Sequence, residues 1–416
     1  MSPSYACSPV DQAARRPHRV DVLIMTASGA DGGMEKCNRE LAKGLARNGQ
    51  SVMIVVTGGN YYNRFLAEWS GIRVLPALTG TDRRWSPRRI LQAASLFRRF
   101  RPHVIVLPHG SVFHFNNCAV GAWLARIPRV VSILYSRAAY PRPTSHRKHL
   151  GVLPGVGLWW HWLRAQICVV KWLSDAMVFA TPDHADAFYR AYELRPTGSV
   201  VVPHLGADTA EFRPDAERRS RVRSELGLSD QEFCLVYAGR LSPEKGPDLL
   251  IDALGRLPAE LWSRLRVVIA GDGLLRAEME NRVRAAKLDG TVRFLGRISN
   301  VAGLYNAADL VAVPSRAECF GLSLVEAMAS GCAVVATAIG GMREIVDEPQ
   351  EGLLVHRLDA SCLAQALHKA ILCPDLEKMG QAARLKVLSK YSKSRVLADL
   401  LAVVGAHPRQ AGAPNA

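Results

Sequence analysis

Two acidic residues eight positions apart, Glu318 and Glu326, carry the strongest chemical signal in this chain. An apolar strand ends at Pro314, a polar loop sets Glu318 at the strand's carboxyl end, and Gly321 opens a helix that puts Glu326 in its second turn. Free amides at Phe320, Gly321 and Leu322 point out of such a helix start, just after Cys319, and favour a phosphate or an electron-rich hydroxyl. The Glu326 side chain leans back toward that start and can reach a vicinal diol such as a ribose. Either carboxylate alone reads as a solvated surface group. Together with Gly321, the small-residue helix and a Gly331 stop before the next strand, they read as a ligand site.

A second signal is cationic. A strand ending at Gly239 is followed by Arg240 and Lys245, a guanidinium and an ammonium five residues apart. Arginine can grip two oxygens at once and lysine acts as a point charge, so the pair suits the growing charge of a diphosphate leaving group. A third strand ends in the turn Gly271-Asp272-Gly273, where missing side chains let a ligand approach the backbone; alone this turn is weak. Near the start, Gly32 and Gly33 precede the first helix, whose amides can receive a phosphate. Their spacing is not G-x-G-x-x-G, which argues against a plain dinucleotide site.

The elements that must position these residues alternate strand and helix. Strands are expected at Val20–Thr26, Ser51–Thr57, Ile72–Leu75, His103–Leu107, Val130–Leu134, Ala176–Ala180 and Ser199–Pro203, with a first helix from about Gly33 to Arg47. A polar stretch from Gly206 to Arg223, with Pro214 and five arginines, reads as an interdomain connection leading into a helix. The alternation then restarts with five strands at Phe233–Ala238, Arg266–Ala270, Val292–Leu295, Leu310–Pro314 and Ala333–Ala336. The fold class expected is α/β, two doubly wound Rossmann-like domains facing across a cleft, with ligands at the carboxyl ends of the strands.

At 416 residues the chain is long enough for two or three domains, and 49% apolar against 22% charged residues mark it as globular. Nine scattered cysteines without a C-x-x-C pair indicate neither a disulfide framework nor a zinc ribbon, and fit a reducing cytoplasm. No apolar leader precedes His18, and the best membrane candidate, residues 150–180, is interrupted by His161, Arg164, Lys171 and Asp175. The formal charge of +16 is lopsided: residues 1–200 hold 26 Lys+Arg and 11 Asp+Glu, residues 201–416 hold 27 and 26. The first half therefore faces an anionic partner such as a phosphorylated substrate, a membrane surface or nucleic acid. No zinc-finger spacing or RNP-like aromatic motif supports nucleic acid, so no nucleic-acid partner is expected.

The residues resemble the glycosyltransferases of family 4, which have the GT-B fold and a retaining mechanism. The resemblance covers roughly residues 19–405 and is strongest where Arg240 to Gly246, Gly271 to Gly273, Phe294 to Arg297, Ala307 to Asp309, Glu318 to Glu326 and Gly340 to Ile345 follow in family order. It implies a nucleoside-diphosphate-sugar donor (UDP, GDP or ADP) whose pyrophosphate meets Arg240 and Lys245, whose ribose meets Glu326 and whose sugar meets Glu318. It further implies that Phe320, Gly321 and Leu322 touch sugar or phosphate, that Leu295 and Gly296 lie near the base, and that Gly32 and Gly33 form a loop over the diphosphate. No metal or other cofactor is implied, and the sequence contains no D-x-D. Two positions depart from the pattern: Tyr135 stands where many relatives carry histidine, and the hinge reads His204-Leu-Gly206-Ala-Asp208. His109, at another strand end, is either structural or a substrate contact.

The resemblance divides the chain into a disordered lead-in (1–18), an acceptor-binding domain (19–205), a nucleotide-sugar domain (206–390), a C-terminal helix packing back toward the first domain (391–405) and a disordered tail (406–416). It implies a glycan or lipid-linked acceptor in polysaccharide or lipopolysaccharide synthesis. The segment from Arg83 to Arg101, with Ile90, Leu91, Ala94, Leu96 and Phe97 among seven arginines, and the Trp159, Trp160 and Trp162 stretch offer a surface for an anionic inner membrane. A same-fold sugar-nucleotide epimerase and a catalytically silent scaffold are the competing readings.

Overall fold

The computed structural model describes residues 20–26, 33–56, 72–76, 85–109, 115–135, 154–196, 198–203 and 205–405. The expected lead-in, Gly32, Arg83, Arg84, His204 and the expected tail lie outside them. The chain forms two compact units: Met1–Phe179, Tyr189–Val200 and Leu400–Ala416 make the first, Ala180–Phe188 and Val201–Asp399 the second.

The first unit runs β1 (Val22–Thr26), α1 (Gly33–Arg47), β2 (Val52–Val56), β3 (Ile72–Pro76), α2 (Pro87–Phe100), β4 (Val104–His109), α3 (Asn116–Leu124), β5 (Arg129–Leu134), α4 (Pro154–Leu173), β6 (Ala176–Phe179), the end of α5 (Pro182–Tyr192), whose residues up to Phe188 belong to the second unit, and β7 (Ser199–Val201). The sheet order is β3-β2-β1-β4-β5-β6-β7, with β1 paired in parallel to both β2 and β4. The order reverses at β1 and β4, the place where open parallel sheets take ligands. Every residue of β1, β2 and β4 is buried, and the strands are apolar except for Thr26 and His109 at the ends of β1 and β4.

Helix α2 turns much of its apolar face inward. Ala93, Phe97 and Phe100 join Ala119 and Ala122 of α3 in the core of this unit, and Ala94 is buried as well. Most of the apolar face read as a membrane contact thus covers the sheet, while Arg88, Arg98 and Arg99 stay exposed. Leu91 alone of that face is well exposed. Among the described residues no helix is long and apolar enough to cross a membrane.

The second unit holds α6 (Ala216–Glu225), β8 (Phe233–Ala238), α7 (Pro247–Leu254), β9 (Leu265–Ala270), α8 (Arg276–Ala285), β10 (Val292–Gly296), α9 (Val301–Ala307), β11 (Leu310–Val313), α10 (Leu322–Ala329), β12 (Ala333–Thr337), α11 (Met342–Ile345), β13 (Gly352–Val355), α12 (Ala360–Ile371) and α13 (Leu376–Lys386). Its six-stranded sheet is ordered β10-β9-β8-β11-β12-β13. The sixth strand, β13, was not expected; a four-residue apolar run is too short for its period to speak. A last helix, α14 (Lys393–Val404), begins in the second unit and ends in the first, where Arg129 Nη2 donates to Val403 O at 2.7 Å.

The stretch read as a connection is a built part of the second unit. Asp215 caps α6 by accepting from the Arg218 amide at 3.0 Å. Arg219 and the buried Arg223 then reach Asp309 at 2.6 and 3.3 Å, and Asp309 also accepts from the Cys234 amide at 2.7 Å. One carboxylate so ties α6 to β8 and to the residue before β11.

Candidate functional site

At the carboxyl edge of the second sheet, backbone contacts lock the ends of β8, β9 and β10 together. Gly239 N donates to Ala270 O at 2.9 Å, Leu241 N to Asp272 O at 3.0 Å and Gly271 N to Gly296 O at 2.8 Å. Gly271 has φ +140, and a Cβ there would collide with Gly239 O, so only glycine lets the two strand ends approach. Gly273 follows in the same turn, its amide accepted by its neighbour Asp272 at 2.8 Å. Leu295 packs its half-buried side chain against the core. The Arg276 guanidinium lies 5.1 Å from the Phe294 ring centre, flanking Gly296.

Lys245 ends a single helical turn, Pro243–Lys245, and Gly246 carries the chain into α7. At φ +63, Gly246 sits against Pro314 O, so the Lys245 turn touches the loop that bears Glu318. Glu244 O accepts from the amides of Arg316 and Ala317 at 2.8 and 3.2 Å, and Arg316 clamps Asp248 with two bonds of 2.6 Å. The product of this stitching is a direct ion pair between Lys245 Nζ and Glu318 Oε2, side chains 24% and 15% exposed. An ammonium has three donors, so this pairing leaves two for another acceptor.

Arg240 is brought to the same edge but not into that pair. Its guanidinium is 74% exposed and lies 3.5 Å from Glu244, an exposed contact worth at most about 1 kcal/mol and readily exchanged for a ligand. Burial pushes the Glu244 carboxyl up, but the Ser242 hydroxyl, its own amide, Arg240 and Lys245 together hold it below the usual range. The Asp248 carboxyl is likewise raised by burial and lowered further by Arg316.

Gly321 caps α10 and Leu322 begins it, so the amides of the first turn stand after Cys319 and the buried Phe320. Cys319 O accepts from Gly341 N at 3.1 Å, and the Phe320 ring meets Tyr391 edge-on at 5.7 Å, which pins the loop from behind. Glu326 stands in the second turn, half-buried. Burial, followed by the nearby Glu326 charge, raises the Tyr305 phenol well above its ordinary range, and Tyr305 donates to Ser323 O at 3.2 Å.

The first unit brings a different set to its own carboxyl edge. Thr26, His109 and Tyr135 stand at or just beyond the ends of the adjacent strands β1, β4 and β5. Tyr135 donates its hydroxyl to Asn38 Oδ1 at 3.1 Å, and Asn38 Nδ2 reaches Thr26 Oγ1 at 3.4 Å. His109 is 3% exposed, bonds Ser132 Oγ at 3.2 Å and meets Phe115 edge-on at 5.9 Å. Gly33 begins α1, from which Asn38 and Cys37 reach toward Tyr135. Burial pushes the Cys37 thiol up to about 12, against a lowering contact from Tyr135.

Sequence reasoning missed the Glu244, Asp248 and Arg316 clamp, Arg276 and Asn38. Asp248 offered a faint signal, an acid in the first turn of a helix, but its partner lies 68 residues away. Among the described residues no group of three or more His, Cys, Asp or Glu side chains is placed to hold a metal ion.

Residues 31–211 match the family described as Glycosyltransferase Family 4, and residues 218–386 that described as Glycosyl transferases group 1. The D-inositol 3-phosphate glycosyltransferases of Nocardioides sp. and Corynebacterium aurimucosum are each 38% identical, over 214 and 221 residues. These alignments cover 48% and 50% of this chain and 46% and 52% of theirs, so the match spans about half the length of each relative. Among solved structures, Anabaena Alr3699/HepE in complex with UDP has a TM-score of 0.76 at 21% identity, covering 93% of this chain and 100% of that one. Sucrose-phosphate synthase from Thermosynechococcus elongatus has 0.70 at 22%, covering 92% and 98%. These likenesses establish the fold as GT-B: two parallel-sheet α/β domains.

Proposed function

From a chain that belongs to the family 4, group 1 glycosyltransferases, we propose a retaining transfer of a sugar from a nucleoside diphosphate to a hydroxyl of a glycan or lipid-linked acceptor. The observation that carries the reading is the Lys245–Glu318 pair at the carboxyl edge of the second sheet, with Arg240 and the amides of the α10 start on the same edge. In this reading Glu318 holds the sugar, Glu326 the ribose, and Leu295 and Gly296 flank the base. Arg240 and Lys245 take the diphosphate, the group also proposed for Gly32 and Gly33. The bond between C1 and the phosphate oxygen breaks, the leaving diphosphate is stabilised by the two cations, and the acceptor hydroxyl attacks from the same face. Positive side chains then serve where other transferases use a divalent ion, so the reaction proceeds without metal.

HepE, which shares the fold, has been captured with UDP and with UDP-glucose, making UDP-sugars the first donors to try, ahead of GDP- and ADP-sugars. The acceptor sits against the first unit, where Tyr135 and His109 stand at the strand ends. Polysaccharide or lipopolysaccharide assembly in the cytoplasm, at the inner face of the membrane, is the setting proposed, and the relatives' name adds a phosphorylated polyol to the acceptors worth testing.

Thermal shift with UDP, GDP and ADP on the wild type and on Glu326→Ala tests the reading. One nucleotide at 100 times its Kd stabilises the wild type by about 2.7 kcal/mol. The variant loses most of that shift. No shift with any nucleotide sinks the donor assignment.

A further inference from the structure

The first unit carries a basic cavity at the opposite end of its sheet, and we propose that it binds a phosphate-bearing ligand separate from any sugar donor. The cavity, about 950 Å³, lies where α2 and α3 end and β4 and β5 begin. Its walls include Arg98, Arg99, Arg101, His103 and Arg126, and among the described residues no acidic side chain lines it. It is removed from the carboxyl-edge residues His109 and Tyr135 by the length of β4, about 20 Å at 3.3 Å per residue.

Basic residues at helix ends are ordinarily explained by the helix dipole, which puts about half a negative charge at each carboxyl terminus. Two helices end here, so about one positive charge answers them. Four guanidiniums are present, and the excess points to a ligand with several negative charges. Arg98 Nη2 caps the neighbouring helix by donating to Leu124 O at 2.9 Å, and Arg99 lies over the Phe100 ring at 5.4 Å. Arg101 and Arg126 are exposed and have no ion pair among the described residues. Asp21, whose backbone bonds His103 and Val104, uses its carboxylate on the Ser51 amide.

Arg101 and Arg126 also hold positive φ, +43 and +55, the positions after helices where glycine is the usual residue. Placing arginine at both costs backbone strain and turns two side chains into one cavity. Phe97, Phe100 and Ile127 supply apolar wall beside the cations, so a phosphate ester with an organic part fits better than a bare ion. A lipid headgroup and a soluble phosphate ester share this chemistry. The cavity gives a local meaning to the surplus of cations in the first half of the chain, and it does not depend on the transferase reading.

The test uses the full chain and sodium tripolyphosphate as probe, measured by calorimetry in low salt. The double variant Arg101→Gly, Arg126→Gly removes both charges and relieves the positive φ, so its melting temperature equals or exceeds the wild type's. Its tripolyphosphate affinity falls by roughly a hundredfold, the loss of two charge-assisted bonds. The same loss appears when the two changes are made in a Lys245→Ala background, where the carboxyl-edge ammonium cannot be the source. Flotation of the wild type, but not the double variant, with phosphatidylglycerol-containing vesicles assigns a lipid headgroup; equal behaviour of the two with vesicles assigns a soluble ester. Absence of tripolyphosphate binding by the wild type, or equal affinity in the double variant, overturns the proposal.

Discussion

Among the described residues, the carboxyl edges of the two sheets share a topology and differ in chemistry. Both lie at a reversal of strand order, yet the second unit lines its edge with Arg240, Lys245, Glu318 and Glu326, the first with Thr26, Asn38, His109 and Tyr135. Charged groups anchored by backbone stitching suit a ligand that carries and develops charge. In the proposed reading, the hydroxyl, amide and imidazole groups of the first edge belong to the side that meets a hydroxyl acceptor. In that reading, one architecture is divided between leaving group and acceptor by side chains alone.

The contrast is broken most sharply at Glu318. Glu318→Ala is expected to cut the transfer rate by roughly 10²–10³-fold, the scale for losing one preorganised electrostatic contact, as measured by nucleotide release with donor and acceptor present. Near-normal turnover would remove Glu318 from the reaction. Gly271→Ala attacks the scaffold instead: the φ of +140 and the collision with Gly239 O are expected to cost about 3 kcal/mol in urea unfolding and to abolish nucleotide shifts. An unchanged urea midpoint would show that the strand ends need not touch.

The Asp248–Arg316 clamp sharpens the role of stitching. Asp248→Asn is expected to cost about 2 kcal/mol at pH 7, as a bidentate charged pair becomes a neutral contact. The folded Asp248 carboxyl lies below its ordinary 3.8, so its stabilisation is complete above that value and is lost as pH falls through the folded value. The variant and wild type should therefore differ at pH 7 and converge under acid. A constant difference down to acid pH would assign the loss to packing. Smallest is Tyr135→Phe, which removes the bond to Asn38 and about 1 kcal/mol from the first unit. Nucleotide affinity should not move, while the acceptor KM should; a tenfold change in nucleotide Kd would contradict the division between the edges.

Much of this molecule is legible in the residues. Helix α1 begins and ends where its apolar period does, Gly33 and Arg47, and Gly321 caps α10 with Glu326 in its second turn. Strand β13 escaped notice because four residues are too few for a period to register. Residues 206–223 read as a connection leading into a helix, and a helix stands at Ala216–Glu225, but only the fold brings Asp309 to Arg219 and Arg223.

Local chemistry fixed the alternation of strands and helices, the glycines at the strand ends and the kinds of charge that follow them, because these depend on neighbours within a few positions. Tertiary structure alone decided that Lys245 meets Glu318 and that Arg316 clamps Asp248, since those partners are 73 and 68 residues apart and meet only when neighbouring strands align. It also decided that the apolar stripe of α2 faces the core while its terminal arginines gather with Arg126 around a cavity, because periodicity defines a face without naming what will cover it.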